Sequence, residues 1–234
     1  MELPNYAETI IKRLNDGGYE AYAVGGCVRD LLLGATPKDY DFTTNASPEQ
    51  VKRVFSDCRT YDCGLRYGTV GVLIGEETVE ITTYRCDGGY SDHRRPDRVT
   101  FSGKLSEDLM RRDFTVNAMA FAPSENLIDL FGGQTDLARG LIRAVGEPEK
   151  RFREDALRIL RAMRFASCLD FRIEEETSAA IHRCSGLLKN ISGERIYAEL
   201  SKLLCGKGCE TVLREYPDVL AVIIPEISRC VGFE

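Results

Sequence analysis

The segment from Gly25 to Asp41 constrains the fold most, because a glycine pair is followed there by two aspartates spaced two apart. Residues 21–24 predict a short strand, and residues 27–34 predict a helix that begins directly after the glycines. Backbone N–H groups at the start of a helix bind phosphate. Two carboxylates on one side of a strand bind divalent metal. A phosphate site and a metal site this close in sequence indicate nucleotidyl transfer.

The two aspartates are Asp39 and Asp41, in a strand predicted over residues 39–43. In a strand, residues i and i+2 face the same way, so both carboxylates can bind one cation. Glu80, in a second strand predicted over residues 78–84, is a candidate third ligand. An exposed glutamate with no metal role explains Glu80 equally well.

The glycines and nearby arginines predict a phosphate site. Gly25 and Gly26 let the backbone approach a ligand, because neither has a Cβ. Arg29 lies one turn into the helix and can reach the same phosphates. Arg112 is a candidate contact to ribose or phosphate. The alternative for the glycines is an ordinary turn between a strand and a helix.

A helix predicted over residues 148–168 carries Asp155 and Arg158 at positions i and i+3, with Arg161 and Arg164 continuing the row. The simple interpretation is an intrahelical ion pair on a solvated face. The alternative is base selection, because Asp accepts and Arg donates hydrogen bonds. Cytosine and adenine offer the complementary donor and acceptor, whereas uracil and guanine reverse them and would leave polar groups unpaired. The remaining arginines would then contact phosphates.

Composition limits the class of protein. The 234 residues are 43% hydrophobic and 29% charged, enough for one or two domains with a real core. No apolar run approaches the ~18 residues of a membrane span, and the N-terminus lacks the pattern of a signal peptide. Nine scattered cysteines without C-x-x-C, and only two histidines, argue against a zinc site and favour free thiols in the cytoplasm.

The net charge of −6 argues against a general basic coat for nucleic acid. Residues 139–172 nevertheless carry nine basic and five acidic side chains, a local excess that can contact a polyanion. The apolar pattern also changes near residue 146, from strand-like runs to helical spacing. We therefore expect an α+β protein, with a mixed-sheet domain over residues 1–145 and an all-helical domain over 146–234.

Six ordered motifs resemble those of class II tRNA nucleotidyltransferases, the bacterial CCA-adding enzymes and their poly(A) polymerase relatives within the DNA polymerase beta nucleotidyltransferase superfamily. The motifs are Gly25-Gly26-x-Val28-Arg29-Asp30, Asp39-x-Asp41, Arg111-Arg112-Asp113-Phe114-Thr115-x-Asn117-Ala118, Asp129-x-Phe131-Gly132-Gly133, Glu154-Asp155-x-x-Arg158 and Gly193-Glu194-Arg195-Ile196.

The resemblance implies a catalytic head and a helical neck. Asp39 and Asp41 would bind Mg²⁺, and Gly26 and Arg29 would contact the triphosphate of CTP or ATP. Asp155 and Arg158 would read the base, with Arg112, Arg161 and Arg164 completing the nucleotide site. The partner would be the 3′ end of tRNA, with no membrane or protein partner implied. Such enzymes continue into body and tail helices, so we expect this chain to be a head-and-neck portion.

Other functions remain open at this point. The close alternative is a poly(A) polymerase or an enzyme that adds only A, and the distant one is a non-catalytic module that binds RNA or nucleotides. A glycine-rich stretch, Asp87 to Asp97, predicts a mobile loop. The resemblance links a loop at this place to switching from C to A, which disfavours an enzyme that adds only C.

Overall fold

The computed structural model describes residues 1–89 and 98–229, which divide into two compact units. The first consists of Met1–Gly88, Arg98–Arg112 and Val116–Gly133. The second consists mainly of Asp113–Thr115 and the described residues from Gln134 onward. The domain boundary expected between residues 145 and 146 stays a prediction.

The first unit contains most of the strands. The strands of the protein are β1 (Ala21–Val24), β2 (Asp41–Thr44), β3 (Arg59–Asp62), β4 (Thr69–Ile74), β5 (Glu77–Thr83), β6 (Arg85–Gly88), β7 (Arg98–Phe101), β8 (Met119–Ala122), β9 (Asn126–Asp129), β10 (Leu141–Ile142) and β11 (Arg172–Ile173). The main sheet has the order β3-β4-β5-β2-β1-β8-β9, in which β2 and β5 are parallel and the other neighbours are antiparallel. A separate ribbon joins β6 and β7.

The helices are α1 (Asn5–Asp16), α2 (Gly26–Leu32), α3 (Pro48–Val54), α4 (Leu105–Met110), α5 (Gly133–Ala138), α6 (Pro148–Glu154), α7 (Leu157–Leu169), α8 (Glu175–Cys184), α9 (Gly193–Leu204), α10 (Cys209–Glu215) and α11 (Pro217–Ala221). The second unit is built from the later helices, with a short parallel pair, β10 and β11, among them. A mixed-sheet unit followed by a helical one confirms the α+β prediction.

Local sequence signals account for several element boundaries. Ser47 and Gln50 form a reciprocal capping box at the start of α3. Helix α1 begins at Asn5, and Pro4 occupies its N-cap position.

In the second unit, α7 and α9 approach closely because Gly206 has no side chain. A Cβ there would lie 2.2 Å from Ser167 Oγ, which donates a hydrogen bond to the Leu203 carbonyl at 2.6 Å. The core between the helices includes Phe152, Leu160 and Met163, all fully buried.

Three predicted boundaries need correction. Strand β2 begins at Asp41, so Asp39 precedes the strand. The helix expected over residues 148–168 is broken, because Asp155 has an extended backbone and separates α6 from α7. Asp87 and Gly88 belong to strand β6, while residues 90–97 of the expected loop lie outside the described residues.

No helix in residues 1–89 and 98–229 is long and apolar enough to cross a membrane.

Candidate active site

An acidic cluster lies where β2 and β5 run side by side. The parallel register pairs Asp41 with Glu80. Both residues are exposed, while their neighbours Phe42 and Ile81 are buried in the core. Glu80 therefore faces away from the core. Sheet pairing also brings a residue from a distant part of the chain next to the D-x-D segment.

The three acidic side chains influence one another. Partial withdrawal from water raises the pKa of Asp41; the Arg112 charge opposes this rise, and the Asp39 charge adds to it. Desolvation, followed by the charges of Asp41 and Asp39, raises the pKa of Glu80. Asp39 therefore contributes to the same negative field, although it precedes the strand. Tyr40 between the two aspartates packs edge-to-face against Tyr6, with ring centroids 5.9 Å apart.

The donor chemistry of this cluster fits Mg²⁺. Carboxylate oxygens are hard ligands, and Mg²⁺ retains several waters while binding one or two carboxylates. Desolvation is the main cause of the raised pKa values of Asp41 and Glu80, and repulsion between the carboxylates adds to it. A cation would relieve that repulsion. Within the described residues, no three His, Cys, Asp or Glu side chains form a ready-made metal site. The fit therefore concerns Asp39 and Asp41, and the third ligand Glu80 stays a prediction.

The glycine turn lies beside this cluster, and its two glycines have different constraints. Gly25 has φ 78° and ψ −130°, a conformation that side chains disfavour. A Cβ on Gly25 would lie 3.0 Å from Arg112 Nη1. A Cβ on Gly26 would lie 3.6 Å from Arg29 Nη2, which is an ordinary contact. The backbone requirement for glycine therefore falls on Gly25, although the sequence-based assignment to the triphosphate names Gly26.

Arg29 is held by side chains on both sides of its guanidinium. Its Nη2 donates to Asp30 at 2.7 Å, and its Nη1 donates to Asn117 at 2.7 Å. Asn117 thus joins two motifs that are far apart in sequence. These contacts fix the direction of a buried arginine next to the glycine turn.

Arg112 and Arg111 share one buried carboxylate that the sequence analysis missed. Asp108 on α4 contacts Arg111 Nη2 at 2.7 Å and Arg112 Nη2 at 3.4 Å. The available signal was the i, i+3 and i, i+4 spacing of an acid before two arginines. Arg112 Nε is buried and has no hydrogen-bond partner among the described residues.

In the second unit, Asp155 and Arg158 do not form the ion pair of the simple interpretation. Asp155 Oδ2 contacts Arg195 Nη2 at 3.1 Å, and Asp155 Oδ1 accepts from Leu157 N at 3.1 Å. Arg158 is buried and its Nη1 contacts Glu154 Oε2 at 2.9 Å. Each of the two side chains therefore has a partner of its own.

The other arginines of α7 also have carboxylate partners. Arg161 Nε donates to Asp113 Oδ2 at 2.8 Å, and the Asp113 charge raises the pKa of Arg161. Arg164 pairs with Glu199, and its guanidinium carbon lies 3.8 Å from the centre of the Phe165 ring. These ion pairs offset much of the local positive charge, so the stripe expected from composition is not a bare cationic surface.

Family models match both parts of the chain. The one described as "Poly A polymerase head domain" matches residues 21–143. A second, described as "Probable RNA and SrmB- binding site of polymerase A", matches residues 170–230.

Comparison with individual relatives agrees with the family models. The chain is 54% identical over 223 residues to a CCA-adding enzyme of Lactobacillus helveticus, covering 95% of this chain and 55% of that protein. The Bacillus stearothermophilus CCA-adding enzyme in complex with CTP has a TM-score of 0.85 and 44% identity, covering 93% of this chain and 53% of that one. The Thermotoga maritima CCA-adding enzyme complexed with tRNA has a TM-score of 0.76 and 32% identity, covering 95% and 52%. The chain spans about half the length of the relatives it matches.

Proposed function

The chain belongs to the poly A polymerase head-domain family, as its class II tRNA nucleotidyltransferase motifs predict, and from this premise we propose that it adds C, A or both to the 3′ end of tRNA. CTP and ATP are the substrates. The 3′-hydroxyl attacks the α-phosphorus, a new phosphodiester bond forms, and pyrophosphate leaves. No template strand is used.

One observation carries this proposal: the carboxylates, the glycine turn and Arg112 lie at one place in the first unit. Arg112 lies against Gly25 and acts electrostatically on Asp41, which in turn is paired in register with Glu80. Asp39 and Asp41 are the catalytic carboxylates, Gly26 and Arg29 contact the triphosphate, and Arg112 contacts ribose or phosphate. Positioning and charge stabilisation supply most of the rate in transfers of this kind.

Asp39 and Asp41 would hold Mg²⁺, with Glu80 as the candidate third ligand. When bound, the ion lowers the pKa of the attacking hydroxyl and offsets charge on the triphosphate. The protein contributes fixed carboxylates, a turn free of Cβ atoms and an oriented guanidinium.

Base choice belongs to the second unit in this proposal. Asp155 supplies an acceptor and Arg158 supplies donors for cytosine or adenine, and Arg161 and Arg164 complete the nucleotide site. Asp155 and Arg158 are ion-paired with Arg195 and Glu154 rather than with each other, and a base would share these groups with those partners. A base with the reversed pattern leaves buried polar groups unpaired, which favours CTP and ATP over UTP and GTP.

The acceptor is tRNA, in line with the tRNA complex of the Thermotoga maritima relative. We place the protein in the cytoplasm, because the cysteines within the described residues are free thiols.

The decisive experiment uses labelled CTP and ATP, separately and together, with tRNAs trimmed before the first C, the second C and the final A of the CCA end. Ordered addition of C and then A supports the proposal. A long A tract would instead identify a poly(A) polymerase, and addition of A alone would identify an A-adding enzyme. Mg²⁺-dependent CTP binding without pyrophosphate release would favour a non-catalytic nucleotide-binding module.

A further inference from the structure

Asp108 is a buried charge with no role in the proposal so far. Its side chain is 0% exposed on α4. Oδ1 pairs with Arg111, while Oδ2 faces Arg112 Nη2 at 3.4 Å and accepts from Thr43 Oγ1 at 3.2 Å. Burial acts to raise the pKa of Asp108, but the charges of Arg111 and Arg112 outweigh it and lower the pKa. Asp108 is therefore a buried anion held by three donors.

Arg112 interacts with two carboxylates, those of Asp108 and Asp41. On one side, it forms an ion pair with Asp108. On the other, it acts electrostatically on Asp41, without an ion pair between the two within the described residues. Its Nη1 lies 3.0 Å from the place that a Cβ of Gly25 would occupy. The guanidinium thus lies against the glycine turn, and its ion-pair partner there is the buried Asp108 rather than Asp41.

We propose that Asp108 is a positioning residue that holds the Arg112 guanidinium against the Gly25 turn and prevents it from pairing with Asp41. The inference rests on the proposed function, in which Arg112 contacts the nucleotide. Without Asp108, Arg112 would still be attracted to Asp41, a carboxylate assigned to Mg²⁺, so the arginine would compete with the cation. Thr43 assists, because its hydroxyl lies 3.2 Å from the Asp108 oxygen that faces Arg112. The Thr82 carbonyl is also 3.2 Å away, so the two acceptors share the one hydroxyl proton.

The test uses Thr43→Val, which keeps every charge, and Asp108→Asn, which removes the buried anion. The second unit offers matched controls, because Thr115 Oγ1 donates to buried Asp136 at 2.7 Å and Arg143 Nε contacts the same oxygen at 3.1 Å. Thr115→Val and Asp136→Asn therefore make the same chemical changes at a site without a proposed nucleotide role. CTP affinity is measured by calorimetry over a range of Mg²⁺ concentrations, and folding by circular dichroism.

We expect Thr43→Val to weaken CTP binding about three- to tenfold, the effect of one lost hydrogen bond. Asp108→Asn should also raise the Mg²⁺ concentration needed for CTP binding. In an Arg112→Gln background, Thr43→Val should change CTP affinity by less than about twofold, because its effect passes through Arg112. The two controls should stay within about twofold of the unaltered chain.

The outcomes separate this inference from the proposed function. If the unaltered chain binds neither CTP nor ATP, the proposed function fails. If it binds CTP but Thr43→Val and Asp108→Asn bind it equally well at the same Mg²⁺ concentration, only the role of Asp108 is wrong. An equal loss from Thr43→Val with and without Arg112 also overturns that role. Should Asp108→Asn fail to fold, Thr43→Val and its Arg112→Gln combination decide the question.

Discussion

Replacing Gly25 and Gly26 separately by alanine should have different consequences, although the two glycines are adjacent. The φ of 78° at Gly25 lies in a region that costs a residue with a Cβ about 1–3 kcal/mol. The new Cβ would also lie 3.0 Å from Arg112 Nη1, so the guanidinium must shift. Gly25→Ala should therefore lose both stability and CTP affinity.

Gly26 is the matched control for backbone strain. It is the first residue of α2, and its φ is not positive. A Cβ on Gly26 would make only an ordinary contact, 3.6 Å from Arg29 Nη2. Alanine favours a helix over glycine by up to ~1 kcal/mol. Gly26→Ala should therefore keep or gain stability, yet weaken CTP binding if the triphosphate lies against this backbone.

Thermal unfolding and CTP calorimetry measure the two effects separately. A chain of this size loses about 2–4 °C in Tm for each kcal/mol, so Gly25→Ala should melt about 2–12 °C lower. A Tm equal to that of the unaltered chain would refute the strain argument at Gly25. Unchanged CTP affinity in Gly26→Ala would remove Gly26 from the phosphate site without affecting the argument for Gly25.

Four other changes test metal binding, base choice and the effect of burial on an ion pair. Asp41→Asn should abolish nucleotide incorporation and the rise in Tm that Mg²⁺ produces. Because the pKa of Asp41 is raised in the fold, its ionised form reduces stability at neutral pH. The variant should therefore be more stable than the parent at pH 7, and this gain should disappear as pH falls below the pKa, as measured by urea titration. Arg158→Lys keeps the charge but loses the planar donors, so the preference for CTP over UTP should fall in incorporation assays. Glu199→Ala breaks a buried ion pair and should cost about 3–5 kcal/mol in urea unfolding. Glu210→Ala breaks an exposed pair and should cost no more than ~1 kcal/mol.

Each of these predictions has an outcome that contradicts it. Normal turnover by Asp41→Asn would end its assignment as a metal ligand, and a stability gain that persists at acid pH would contradict the electrostatic argument. A constant CTP-to-UTP ratio in Arg158→Lys would count against base reading. Equal costs for Glu199→Ala and Glu210→Ala would show that burial of the ion pair has no energetic consequence.

The sequence by itself determined the short-range features. The glycine turn, the spacing of Asp39 and Asp41, and the capping box at Ser47 depend on neighbours within a few residues. Local hydrogen bonding and side-chain periodicity act over one or two turns, so one sequence is enough to read them.

Only the tertiary structure decided which distant groups meet. Sheet register pairs Asp41 with Glu80, and the fold brings Arg112 to Gly25 and gives it Asp108 as a partner. The break at Asp155 also escaped helical spacing, because Asp155 pairs with Arg195, forty residues away. Such contacts depend on strand order and helix packing, which local propensity does not specify. The sequence therefore identified most of the candidate residues, while the tertiary structure determined which residues they contact.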